Sequence, residues 1–173
     1  MPKISHSVIN YKMYEGTNEY VGMAQVTLPS LRFMESAVRG AGIAGEVSAV
    51  LIGQMQAMEM QVQMLVLSKA GIDMAEPREH TWEFHEAQQH ISPEKHDHGV
   101  EHVKHVFKAY PKGMDGGTLQ PQSASNPNIP ASVYYWAEYR DGVKVLELDP
   151  LNYICYFNGT DYLAPVREAL GMS

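Results

Sequence analysis

Cysteine is almost missing from this chain: Cys155 is the only one in 173 residues. A single thiol excludes an internal disulfide framework. Positive charge is also scarce, with 13 Lys and Arg against 20 Asp and Glu and a net charge of −7. That balance argues against gripping nucleic acid by its phosphates, although not against enclosing nucleic acid that slides past. No apolar run approaches membrane-spanning length, so no membrane anchor is expected. The start, Met1-Pro2-Lys3-Ile4-Ser5-His6, lacks the apolar core of a secretory signal, and the chain is expected to be made and folded in a cytoplasm. The run Gly40-Ala41-Gly42-Ile43-Ala44-Gly45 has neither the Lys-Ser/Thr ending of a P-loop nor a strand-then-helix setting, and reads as loop. What is abundant is methionine, eleven residues of it, which suits irregular or adaptable apolar contacts.

The most informative stretch is Gln54 to Leu67. Met58, Met60, Val62, Met64 and Val66 alternate with Glu59, Gln61 and Gln63. Alternation of this length predicts a β-strand with one buried and one wet face. The wet face is amide-rich and holds one charge, which fits a surface that stays hydrated without gripping what passes it. An ordinary solvated sandwich strand gives the same pattern.

The chain length suits one domain, 1–173, able to bury a core without staples. Val8 to Tyr14 and Tyr20 to Leu28 read as extended runs, the latter with Val21, Met23, Gln25 and Thr27 on one parity. Leu31 to Val38 fits either a helical turn or a strand. Glu46 to Leu67 reads as one long strand, and Ser68 to Glu76 as a brief helix before Pro77. Thr81 to Gln89 is a mixed strand or turn region, and Val100 to Tyr110 is rich in β-formers. Residues 111–130 carry Gly113, Gly116, Gly117, Pro121, Pro127 and Pro130 and predict a long irregular loop, functional or ordered by a partner. Val133 to Leu148 is the strongest hairpin, turning at Asp141-Gly142. Leu151 to Phe157 is a further strand, and Ala164 to Leu170 a short helix with Pro165 at its start and Gly171 at its stop.

Candidate chemistry is sparse. His98, His102 and His105 would share one face of a helix and could bind a divalent metal there. On a strand His105 points away from the other two, and the β-formers Val100, Val103, Val106 and Phe107 favour the strand. No Glu-x-x-His pairing is present. Cys155 lies in an apolar run, where a free thiol behaves as a small hydrophobe. Glu147 and Asp149 share a parity, but no His or Ser completes a hydrolytic set. No catalytic, cofactor-binding or metal residue is therefore assigned.

Two blocks carry a resemblance. The first is Asn10-Tyr11-Lys12-Met13-Tyr14-Glu15-Gly16, Tyr20-Val21-Gly22, Val26-Thr27-Leu28-Pro29-Ser30-Leu31 and Val38-Arg39-Gly40-Ala41-Gly42. The second is Val133-Tyr134-Tyr135-Trp136, Asp141-Gly142-Val143, Leu146 to Asn152, Asn158-Gly159-Thr160-Asp161-Tyr162-Leu163 and Arg167 to Gly171. Together they resemble the major tail tube proteins of contractile-tailed phages and of R-type bacteriocins. The middle departs: the family's clear helix after the Met/Gln-type strand is shortened here, and the His-rich segment is not a family feature.

The resemblance implies a mainly β fold of two packed antiparallel sheets, a sandwich or open barrel with a short flanking helix. It implies self-association into hexameric rings that stack into a hollow tube, each chain contributing to a closed barrel. The implied partners are the tail sheath protein, the baseplate and tail terminator proteins, and the tape measure protein and DNA in the lumen. The implied location is the virion tail, assembled in the host bacterial cytoplasm, with no enzymatic activity and no cofactor. On that reading Glu59, Gln61 and Gln63 face the bore, and the Met/Gln strand and its neighbours pair with the adjacent subunit. Arg39, Gly40, Gly42, Gly116 and Gly117 lie in the segments expected to touch other subunits or the next ring. The rival expectations are a His-liganded metal-binding β protein and a β-sandwich binding module.

Overall fold

The protein is described from a computed structural model covering residues 3–172; Met1 and Pro2, part of the start read above as lacking a signal, lie outside the described residues, as does Ser173. The strands are β1 (Ile4–Glu15), β2 (Asn18–Tyr20), β3 (Met23–Thr27), β4 (Phe33–Val38), β5 (Val47–Met55), β6 (Met58–Met64), β7 (His80–Ile91), β8 (His98–Pro111), β9 (Asn128–Arg140), β10 (Val143–Asp149), β11 (Ile154–Phe157) and β12 (Thr160–Asp161). Two short helices, α1 (Lys69–Met74) and α2 (Ala164–Ala169), accompany them. Ser68 caps α1 by accepting from the Gly71 N–H, and Pro165 occupies the first turn of α2.

The main sheet is antiparallel and runs β12-β11-β10-β9-β8-β7-β1-β2. It divides at β9. Residues 128–133 of β9 pair with β6, whereas residues 136–140 pair with β10. The register against β8 shifts at the handover, between Lys108 and Ala109. β6 carries β3 on its other edge, and this wing folds over the sheet as a second layer. Met58, Met60, Val62 and Met64 thereby join Met13, Trp82, Phe84, Phe107 and Ile129 in one buried core.

Three expectations on strands are corrected. The long strand from Glu46 to Leu67 is two strands, broken at Gln56-Ala57. Gln56 donates its backbone N–H to Arg32 at 2.8 Å and so returns the chain to the body after β5 has left it. Beyond Met64 the ladder stops, because the Leu65 carbonyl accepts from Ser125 and Asn126 instead. The run from Tyr20 to Leu28 breaks at Gly22, φ +82°, and a bulge between Met23 and Gln25 then turns Met23 inward. Finally, β9 pairs with β6 over Met58 to Gln63 and β3 over Gln61 to Met64, so the Met/Gln strand is mostly paired within its own chain and only residues 58–60 keep an open edge, on the β3 side.

The ambiguous segments resolve as strands. Leu31 to Val38 contains β4, and the mixed Thr81 to Gln89 region is the middle of β7, paired along its length with β8. The hairpin at Asp141-Gly142 forms with both residues at positive φ, 45° and 81°, as a tight turn between twisted strands requires.

Candidate functional site

The solvent face of the β3-β6-β9 wing is built from amides. Gln25, Gln63 and Asn128 form one row across three strands, and Thr27 and Gln61 stand in the next. Together these five side chains line a shallow polar depression of about 310 Å³. The Asn128 amide donates to Gln61 Oε1 at 3.4 Å. Glu59, the one acidic residue on this face of β6, is paired with Lys112 from the segment after β8. The strip is thus wet and close to electrically neutral. Glu59, Gln61 and Gln63 were legible as its polar positions; Gln25, Thr27, Asn128 and Lys112 were not assigned to it.

β4 and β5 pair only with each other and form an arm beside the main sheet. Its base is anchored. Phe33 and Met55 pack on the core, and Gly53, at φ +62°, approaches Leu163 so closely that a Cβ would sit 2.6 Å from the leucine Cγ. Farther out the arm is largely exposed. Val50 is 58% exposed and Ile52 66%, with Met34, Val38, Ile43 and Val47 also exposed. An apolar groove of about 520 Å³ lies under the base, walled by the arm and by Cys155, Phe157 and Tyr162. Contiguous exposed apolar surface of this kind marks an interaction site.

The residues expected at subunit contacts fall in two places. Arg39, Gly40 and Gly42 sit at the turn end of the arm, where Arg39 pairs with Glu46 at 2.5 Å. Gly116 and Gly117 belong to the 112–127 loop, which extends the β8–β9 hairpin irregularly. Asp115 bridges Asn128, Thr118 donates to Ser125, and Ser125 donates to Leu65. Gly117 is needed inside the chain, since a Cβ there would meet the Ser125 carbonyl oxygen at 1.9 Å. Gly116 has open space around it.

Among the described residues the polar side chains form several separate clusters. β8 splits the histidines: His102 and His98 are outward, and His105 is buried with Nε2 3.3 Å from Glu86. Among the described residues no group of three or more His, Cys, Asp and Glu side chains converges as metal ligands. Burial, reinforced by the charge of Asp161, pushes the Cys155 thiol up, which opposes a nucleophilic role. Glu147 accepts from Tyr135 and Lys144, and Asp149 accepts from Asn152 at the following turn, so both carboxylates are held structurally. A further hub lies between β1 and β7. Glu15 accepts from Tyr20 at 2.5 Å and Arg78 at 3.0 Å, and lies 2.9 Å from His80 Nδ1. Burial would raise the Glu15 carboxyl, but those hydrogen bonds and the positive charges beside it hold it below the ordinary carboxylate range.

The near-neutral amide strip and the exposed apolar arm are the two surface features that stand out among the described residues. The family model for phage tail tube protein FII matches residues 5–171. The chain belongs to that family. This tube protein is a structural component of a phage tail tube. Its fold is shared with the sheath/tube terminator of the PVC extracellular contractile injection system in its extended state, solved by cryo-electron microscopy. The identity is 9%, the match covers 78% of this chain and 96% of that one, and the TM-score is 0.53. A chain of the PVC sheath–tube complex in the extended state matches at 8% identity over 75% of the tube protein and 87% of its own length, TM-score 0.49. Among curated proteins none matches by sequence.

Proposed function

We propose that copies of this tube protein close into hexameric rings, and that the rings stack into the inner conduit of a contractile tail, with the amide strip turned to the bore. The carrying observation is the alternation on β6: four apolar side chains buried in the core and Glu59, Gln61 and Gln63 on the opposite face, joined there by Gln25, Thr27 and Asn128. A bore wall of amides, its one β6 carboxylate paired with Lys112, offers DNA or a tape measure protein hydration without a charge to hold it.

The arm supplies the means of joining. A two-stranded sheet with free outer edges and exposed Val and Ile is an invitation to pair with another copy. A head-to-tail contact closes into a ring when its rotation divides a full turn. With most of β6 paired inside its own chain, the edges available for that contact include those of β3, of the arm, and of the two ends of the main sheet at β12 and at β1-β2. The turn end of the arm at Arg39, Gly40 and Gly42, and the 112–127 loop with Gly116 and Gly117, are placed in the contacts between subunits or rings. The outer wall meets the sheath protein, and the tube ends meet baseplate and terminator proteins. The protein acts without a cofactor and performs no reaction.

Replacing Gln61 and Gln63 with Lys tests the bore assignment. Tubes should still grow by negative-stain microscopy, while passage of the genome or cargo through the tail slows. Unchanged ejection kinetics would remove these side chains from the bore. Deleting the tip of the 112–127 loop should leave rings or monomers without long tubes; normal tube growth would count against its role.

A further inference from the structure

The outward face of β7 and β8 carries a histidine pair to which the proposed function gives no part. His85 stands opposite Lys104 and His102 opposite Ala87, which makes the two diagonal neighbours on adjacent strands. Their rings stack with centroids 5.3 Å apart and 22° between planes, and His85 Nδ1 lies 3.1 Å from His102 Nε2. At that distance one ring donates to the other; with each proton on the far ring nitrogen instead, two lone pairs face one another across the gap, and a cation between them would satisfy both. The far nitrogen of His85, Nε2, faces Glu83 Oε2 at 3.6 Å, and Glu83 is itself held by Lys104 at 2.8 Å. A carboxylate behind a ligating histidine fixes its tautomer and ring orientation. The pair opens onto a cavity of about 290 Å³ shared with Asn10, Lys12 and Val100. Lys12 is the adverse charge nearby, and its ammonium is drawn to Glu19 at 2.8 Å.

We propose that His85 and His102 chelate one divalent transition metal ion, of the Zn²⁺, Ni²⁺ or Cu²⁺ class, through Nδ1 and Nε2. Nitrogens bound at about 2.0–2.1 Å to one tetrahedral ion stand about 3.3 Å apart, so the pair needs to open by only about 0.2 Å. Imidazole is a suitable ligand for all three ions. Because no third protein ligand converges among the described residues, water completes the shell, and binding is weaker than at a closed four-ligand site. The site lies on the face of the sheet away from the core.

Titration of the purified protein with Cu²⁺, followed by electron paramagnetic resonance, and with Zn²⁺, followed by calorimetry, tests the assignment. The expected result is one ion per chain with two nitrogens in the copper spectrum. His85→Gln and His102→Gln should each weaken binding by at least about tenfold, whereas His98→Gln on the same strand should leave it unchanged. No binding by the wild type, a copper spectrum without two nitrogens, or affinity that survives either substitution overturns the proposal. The readout is the same on free subunits and on tubes, so its failure is separate from any failure of the bore assignment.

Discussion

The body and the arm solve opposite problems with similar residues. In the body, Met58, Met60, Val62 and Met64 are buried against Trp82, Phe84 and Phe107, and the strand that carries them is bonded to β3 and β9. In the arm, Val47, Val50 and Ile52 stand in solvent on a two-stranded sheet. Isolated two-stranded sheets are marginal at best in water. The body can therefore be stable as one chain, whereas in the proposed assembly the outer arm gains its packing from another molecule. On that proposal, folding and assembly fall to different stretches of sequence.

The largest effect expected on the body side is from Trp82→Ala, which should cost about 3–5 kcal/mol in urea unfolding of the free subunit. A much smaller loss would mean the core is less closely packed than its burial implies. Next, Glu15→Gln should cost about 1–3 kcal/mol at neutral pH by leaving Tyr20, Arg78 and His80 without their shared carboxylate. Since folding lowers the Glu15 pKa, its contribution is complete above the ordinary carboxylate range and is lost as pH falls through the lowered folded value. The gap between wild type and variant should thus narrow on acidification; a gap that widens contradicts the sign. At the junction of the two regions, Gly53→Ala should cost about 1–2 kcal/mol, from its positive φ and its contact with Leu163. The smallest stability change, within about 0.5 kcal/mol, is expected for Val50→Lys combined with Ile52→Lys. Those same changes should abolish tube growth by electron microscopy. If they unfold the subunit instead, the division between body and arm is lost.

Much of the body was legible because its signals are local. The alternation of β6, the Asp141-Gly142 turn, the Ser68 cap and the prolyl start of α2 are each decided by a few adjacent residues. β7 was harder to read. Its buried face includes His80 and Glu86 beside Trp82 and Phe84, and polar residues in the core mask a two-residue period. The division of Glu46 to Leu67 was hidden for another reason: in a sequence, apolar residues left exposed look like apolar residues that are buried. In the amide strip, the bulge after Met23 changes which of the β3 residues face outward, and Lys112 reaches Glu59 only through pairing across the sheet. Neither is available from spacing along one strand. Asn128 is equally concealed, because the prolines at 127 and 130 read as loop while the strand starts between them and runs through Pro130.

The pairing of β6 with two strands of its own chain has a consequence for manufacture. Its polar side chains are aimed outward as soon as a single copy has folded, before any second molecule arrives. A faulty join between copies can then shorten or bend the product, but it cannot turn the methionines to the outside, because that would require unzipping a strand from both of its own neighbours. Surface chemistry is fixed one molecule at a time, and only shape is left to the crowd.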